Sequence, residues 1–277
     1  MLKDTIEYQD KIITPRRLGV FILEINNDFY FFIRYTYIVE VSFMQYYLVD
    51  KIDGKLVFSK DDKHHIRDVM RFKDGDEVYC VNDKKQYLTK LSFINGDIVP
   101  IIIKEDDTKR ELDVEITLIV GLPRSEKFEL IIQKATELGV SRIVPFISKR
   151  SIIKLDKDRG DKKVSRWQKI AKEAMEQSRR CVVPVVTDII NEKEVKKYLS
   201  STNIIAYEES KEHTLKTLME NEKKSITFLV GPEGGFEESE VKYFIDLGFN
   251  SVSLGNRILR CETACFYLLS LASFLYN

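Results

Sequence analysis

A chain of 277 residues is nearly twice the ~150 residues of a typical domain, so two compact units are the expectation. Hydrophobic residues at 44%, charged residues at 32%, 12 glycines and 6 prolines exclude collagen-like, low-complexity and wholly disordered chains. The 44 Lys and Arg balance 44 Asp and Glu, which taken alone argues against nucleic-acid binding through bulk positive charge. Between Arg142 and Cys181, however, 13 basic residues face 5 acidic ones, so one region is built to meet an anion.

The most apolar region, Phe29 to Phe43, is broken by Arg34 and Glu40 and falls short of the ~20 apolar residues that span a bilayer. No basic stretch followed by an apolar core and small-residue cleavage site opens the chain, so no secretory signal is read and the cytoplasm is the expected location. Cys80, Cys181, Cys261 and Cys265 contain no C-x-x-C pair and sit among too few histidines for a zinc set; they read as reduced thiols, and no metal is expected.

In chain order, Met1 to Phe43 carries aromatic and β-branched residues around Asn26-Asn27-Asp28, a hairpin pattern. Strand-spaced runs follow at Tyr46 to Val49, Lys55 to Phe58, Glu77 to Asn82, Gln86 to Phe93 and Ile98 to Lys104. Asp53-Gly54, Asp74-Gly75 and Asn95-Gly96 punctuate them, so a small all-β barrel is expected, with one helix over Asp61 to Arg71.

After the charged linker Lys104 to Asp113 the pattern changes to strands alternating with amphipathic helices, the grammar of an α/β domain with a mainly parallel sheet. Its strands are expected at Val114 to Gly121, Arg142 to Phe146, Pro184 to Thr187, Asn203 to Tyr207, Ile226 to Val230 and Ser251 to Ser253. Helices are expected over Lys127 to Leu138, Lys162 to Arg179, Asn191 to Leu199, Thr214 to Glu220 and Glu238 to Leu247. A last helix, about Thr263 to Leu275, is apolar on nearly every side and should pack in the core or against a second subunit.

Two loops carry the chemistry. Gly231-Pro232-Glu233-Gly234-Gly235 follows the hydrophobic strand Ile226 to Val230, and its three glycines let a ligand approach bare backbone amides. It has neither the G-x-G-x-x-G spacing of a dinucleotide loop nor the Lys-Ser or Lys-Thr of a P-loop, and a simple tight turn is the plainer alternative. The second loop, Leu254 to Ala264, also runs from a strand into a helix and brings Arg257, Arg260, Glu262 and Thr263 to the C-terminal edge of the sheet, the usual binding edge of such folds. Glu262 and Thr263 there have the alternative role of capping the final helix.

Together these loops resemble those of SPOUT-superfamily RNA methyltransferases, specifically the RsmE family, which methylates N3 of a uridine (uracil 1498) in 16S ribosomal RNA. The resemblance runs from about Met44 to the C-terminus. It rests on His64-His65-Ile66-Arg67 with Val69 to Lys73 and Gly75-Asp76, on Gly121-Leu122-Pro123 with Lys127, on Ile132 to Gly139, on Trp167 to Ala171 with Glu176-Gln177-Ser178, and on both loops. The chain departs from the family pattern at Tyr46, where Arg is usual, at Asn256, where Pro is common, and at Cys261, where a small residue is usual.

The resemblance implies a PUA-like RNA-binding β-barrel over residues 44–112, then a SPOUT α/β domain over 113–277 whose C-terminal segment threads a deep trefoil knot, a rare exception to unthreaded topology. Residues 1–43 lie outside it and read as an over-extended start. It further implies S-adenosylmethionine held by the knot loops, mapping onto Ala206, Tyr207, Gly231, Glu233, Gly234, Gly235, Leu254, Gly255, Ile258, Leu259 and Thr263, and a homodimer acting on 16S rRNA or the small ribosomal subunit.

A uracil N3 carries a proton at neutral pH, so Glu262 is the candidate general base and Arg260 the candidate stabiliser of charge on O2 and O4. A helix cap and a salt-bridged arginine are the alternatives. The basic run from Lys149-Arg150 through Lys154, Lys157, Arg159, Lys162, Lys163 and Arg166 would neutralise phosphates, although a solvated helix face is what such a run usually means. Arg71, Arg124, Lys127, Arg150, Gln177 and Arg179 are the candidate substrate contacts. The rival functions are a non-catalytic RNA-binding protein and a SPOUT enzyme acting on another nucleotide or a ribose 2′-hydroxyl.

Overall fold

A computed structural model describes residues 21–25, 28–32, 44–151, 157–210, 215–219 and 224–277, with side chains described at 44–151 and from 162 onward within these spans. The chain divides into two compact units, Met1–Met44 and Gln45–Asn277. In the first, β1 (Phe21–Ile25) and β2 (Asp28–Phe32) pair antiparallel with Ile25 opposite Asp28, the hairpin that the Asn-rich turn predicts. The remainder of residues 1–43 lies outside the described residues.

The second unit begins with β3 (Tyr46–Leu48), β4 (Asp50–Ile52), β5 (Lys55–Val57), β6 (Glu77–Asn82), β7 (Lys85–Ile94) and β8 (Asp97–Asp106). Their ladders form a four-stranded sheet in the order β3-β6-β7-β8 and a β4-β5 hairpin, with β5 lying against β8. Alternation decides the core: Val78 and Cys80 of β6 point inward with Leu91, Ile98, Phe58 and Tyr47, and burial pushes the Cys80 thiol up to about 12. The strand β4 was not predicted; its Asp-Lys-Ile is exposed throughout and carries no alternation to detect.

The helix expected over Asp61 to Arg71 is one turn, α1 (Lys60–His64), capped by Ser59, running into a π-helical turn over His65–Val69 that seats Ile66 in the core. Arg71 follows at φ 54, a left-handed backbone that is costly for a long side chain.

The larger domain alternates β9 (Glu115–Gly121), α2 (Ser125–Glu137), β10 (Arg142–Ile147), α3 (Lys157–Ser178), β11 (Val185–Val186), β12 (Ile190–Asn191), a 3₁₀ turn (Glu192–Tyr198), β13 (Thr202–Ala206), α4 (Leu215–Met219), β14 (Ser225–Val230), α5 (Glu238–Asp246), β15 (Asn250–Val252) and α6 (Cys261–Tyr276). The strands make one seven-stranded parallel sheet in the order β11-β10-β9-β14-β13-β15, with β12 also on β10.

The sheet is buried on both faces, as crossover connections require. Ile116, Leu118 and Val120 of β9 face α2, α3 and α6, whereas Ile119 faces the side of α5 and the 3₁₀ turn. The last helix is two-sided rather than apolar all round in its packing: Cys265, Leu268, Leu269 and Ala272 are buried, whereas Phe274 is 84% exposed. The predicted helix over Asn191 to Leu199 is a 3₁₀ turn closed by an Asn191–Glu194 capping box, too short a segment for a full α-helical face.

Helix α3 joins the two parts of this unit. The Leu48 amide donates to Glu176 Oε1 at 2.9 Å, and Lys172 Nζ lies 3.0 Å from Asp62 and 3.5 Å from Glu176. Burial lowers the affinity of Lys172 for its proton, but the two carboxylates outweigh it and its pKa is raised; Glu176, more deeply desolvated, is raised as well. No described helix is long and apolar enough to cross a membrane.

Candidate active site

The strand order reverses beside β9, where β14 stands between β9 and β13, and the loops leaving β9, β13, β14 and β15 meet at the C-terminal edge of the sheet. The closest approach is between Gly121, the last residue of β9, and the glycine loop after β14. A Cβ at Gly121 would fall 2.4 Å from both Pro232 N and Cδ, so only glycine permits this contact. Gly231 likewise has the Phe236 ring 3.2 Å from where its Cβ would be, and Gly235 turns back at φ 67 with its amide donating to Pro232 O.

These loops enclose a cavity of about 450 Å³. Ala206 and Tyr207 come from the end of β13, Gly231, Glu233, Gly234 and Gly235 from the loop after β14, and Leu254, Gly255, Ile258, Leu259 and Arg260 from the loop after β15. The three apolar residues of the last loop form one wall. Ile258 is 84% exposed there, an apolar side chain that a ligand would cover.

Two of the predicted site residues, Thr263, exposed on α6, and Glu262, do not line the cavity themselves. Helical spacing explains this, because Cys261 and Ala264 lie one turn apart on the face that does line it, and Thr263 falls off that face. The same periodicity would have added Ala264, just beyond the Leu254 to Thr263 segment, from sequence. Glu208, Pro232 and Arg257, within the segments that the resemblance implies, also line the cavity, as do Phe236 and Ser253, which adjoin those segments and were not predicted.

A cation sits between two carboxylates at this site. Lys127, in the first turn of α2, places Nζ 3.4 Å from Glu233 Oε1 and 3.7 Å from Glu262 Oε2. The Arg124 amide also donates to Glu233, at 3.4 Å. Burial acts to raise the Glu233 carboxyl, but backbone amides and Lys127 outweigh it and hold it below its ordinary value. Glu262, in the first turn of α6, has its Oε2 buried with no hydrogen bond among the described residues. A buried carboxylate oxygen without a donor is an acceptor waiting for one.

The other candidate residues are spread over the surface around this site. Arg150 donates from Nη1 to Gly234 O at 3.2 Å, and Arg124 is exposed at the N-terminus of α2. Arg71 is exposed on the small domain, and Gln177 is exposed near the end of α3. Arg179 follows that helix at φ 61 with its guanidinium 5.8 Å from the Tyr46 ring, at the contact between the two domains rather than at the cavity. Lys154 and the side chains of Lys157 and Arg159 lie outside the described residues. No group of three or more His, Cys, Asp or Glu among the described residues is placed to hold a metal ion, and the four cysteines are free.

Comparison with known proteins agrees with this geometry. Residues 110–273 match the RNA methyltransferase domain family and residues 58–104 match the RNA methyltransferase PUA domain family. The chain is 37% identical over 224 residues to the ribosomal RNA small subunit methyltransferase E of Bacillus subtilis, covering 77% of this chain and 88% of that protein. It is 33% identical to the protein of the same name from Aquifex aeolicus, covering 84% and 98%. The crystal structure of a ribosomal RNA small subunit methyltransferase E from Neisseria gonorrhoeae bound to S-adenosyl methionine superposes with a TM-score of 0.75 at 30% identity, covering 84% and 98%. Matched in both of its domains and over most of its relatives' length, the chain belongs to the ribosomal RNA small subunit methyltransferase E family.

Proposed function

We propose that this protein is an S-adenosylmethionine-dependent enzyme that methylates N3 of one uridine, uracil 1498, in the 16S rRNA of the small ribosomal subunit. Family membership supports the reaction class, and the observation that carries the site is the cavity in which Gly234 and Leu259 face one ligand-sized space, with Lys127 on its lining and Glu262 Oε2 3.7 Å behind that ammonium.

The residues fit the cofactor. Glycine backbone offers amides and carbonyls for adenine and ribose edges, Leu254, Ile258 and Leu259 offer an apolar wall, and the carboxylates of Glu208 and Glu233 suit a cationic ligand. When bound, S-adenosylmethionine supplies a methyl group on a positively charged sulfur, a reaction that needs alignment and dryness more than covalent help.

The chain supplies the rest. Glu262, with Lys127 Nζ 3.7 Å from its Oε2, accepts the N3 proton, and Arg260 at the cavity rim stabilises charge spreading onto O2 and O4. Arg150, Arg124 and the basic face of α3 neutralise RNA phosphates, with Arg71, Gln177 and Arg179 as further contacts.

The domain reading goes with this function: residues 44–112 close as a PUA-like barrel that helps hold RNA, and 113–277 form the SPOUT catalytic domain. The packing of β5 on β8 supports closure of the barrel. A trefoil knot is supported by the insertion of β14 between β9 and β13 and by the return of α6 onto α2 and β14. A homodimer is supported by the exposed apolar side chains Tyr267, Phe274 and Leu275 of α6 and Leu130 of α2. The cytoplasm, where ribosomal subunits are assembled, is the corresponding location.

Nucleoside mass spectrometry of 16S rRNA from a strain lacking the gene tests the function. Loss of 3-methyluridine is expected, and an unchanged mark accompanied by loss of another modified nucleotide would assign the enzyme a different target.

A further inference from the structure

Glu240 in α5 is fully buried, although the cavity does not include it. Its Oε1 accepts from the Lys149 amide at 3.0 Å; its Oε2 accepts from the Ser148 hydroxyl at 3.2 Å and the Glu237 amide at 2.9 Å. A carboxylate at the third position of a helix is stabilised by the helix dipole, and here every donor around it comes from the protein. Two of the three donors belong to the turn after β10, closed by Ser151 N to Ser148 O at 3.0 Å. Glu240 thus fixes a loop that is remote in sequence onto the start of α5.

That turn presents Arg150. Its Nη1 donates to Gly234 O, and its Cβ lies 3.3 Å from where a Cβ on Gly234 would be, so the arginine stem and head both brace the glycine loop. Gly234 lines the cavity. The guanidinium has five N–H donors and this contact uses one, so the exposed remainder is free to meet a phosphate without releasing the loop.

We propose that Glu240 is a positioning residue for the donor cavity, holding Arg150 against the Gly234 carbonyl, and that Arg150 thereby links RNA binding to donor binding with positive sign. The inference rests on reading the cavity as the S-adenosylmethionine site and Arg150 as an RNA contact. The sign follows from ordering: a phosphate that immobilises the guanidinium removes side-chain entropy that the brace otherwise opposes, so each ligand finds the other's contact already made.

Calorimetry with S-adenosylhomocysteine, which binds without turnover, tests this with and without a 16S rRNA fragment containing the target uridine. In the native protein the fragment is expected to tighten binding about fivefold, the size of one hydrogen bond. In Arg150→Ala and in Glu240→Gln the enhancement is expected to vanish, and the double variant is expected to lose no more than either single one. A purely structural role for Glu240 would lower thermal stability and leave the enhancement intact, which would overturn the proposal, as would an unchanged enhancement in Arg150→Ala. Arg150 is exposed, so its variant carries the test even if Glu240→Gln does not fold. Native protein that gives no heat with S-adenosylhomocysteine overturns the cavity reading and the linkage together; native heat without RNA enhancement overturns the linkage alone.

Discussion

Lys127 Nζ and Glu262 Oε2 stand 3.7 Å apart, joining the start of α2 to the start of α6 across the cavity rim. The pair places a cation beside the one oxygen of Glu262 that is buried without a hydrogen-bond donor. Replacing Glu262 by Gln keeps the shape and removes the base. Turnover is expected to fall by about 100-fold or more, with the dissociation constant for S-adenosylmethionine changed little. Single-turnover methyl transfer measured beside calorimetry checks this; full activity in the variant would remove Glu262 from the chemistry.

Gly121→Ala tests the loop packing. The new methyl group would press on Pro232 N and Cδ at 2.4 Å and on Gly231 C at 2.9 Å, backbone and ring atoms that cannot rotate away. The variant is expected to lose about 1–3 kcal/mol of stability and to bind the donor about tenfold more weakly or worse, because the displaced loop forms the cavity. Thermal denaturation and calorimetry report the two effects separately, and donor affinity within twofold of native would show that the loop tolerates displacement.

The Glu233 carboxyl is held below its ordinary value of 4.5. Below that value the unfolded chain therefore binds more protons than the folded one, and stability rises with pH there. The contribution is complete above the ordinary value and is lost as pH falls through the depressed folded value. Urea unfolding at pH 7 and through a series below the ordinary carboxylate range is expected to show this loss, and Glu233→Gln is expected to flatten it. A Gln variant with the native pH profile would show that Lys127 and the Arg124 amide do not stabilise the carboxylate.

Phe274 is 84% exposed at the end of α6. If this face joins two subunits, sedimentation gives a dimer for the native protein and a monomer for Phe274→Glu at the same concentration. A native monomer, or a dimer indifferent to the substitution, would place any interface elsewhere.

What the sequence disclosed followed from period and punctuation. The alternation in Glu77–Asn82 and the apolar run ending at Gly121 set β6 and β9, and the position of two loops after strands set Gly234 and Leu259 on one edge. Strands β4 and β12 were not legible, being three and two residues long and lacking a period to count. Lys127 was legible as a candidate RNA contact opening a helix, not as the partner of two carboxylates. Its position between Glu233 and Glu262 depends on contacts more than 100 residues away in the chain, which no local pattern encodes. Glu240 was invisible for the same reason: its partners, Ser148 and Lys149, precede it by 92 and 91 residues.

The central claim is tested most directly by incubating the purified protein with S-adenosylmethionine and small ribosomal subunits that lack the modification, then digesting the 16S rRNA and separating its nucleosides by mass spectrometry. One 3-methyluridine per subunit is the outcome expected here. Methyl groups found on ribose or on another base, or none transferred by protein that binds the donor, would contradict it.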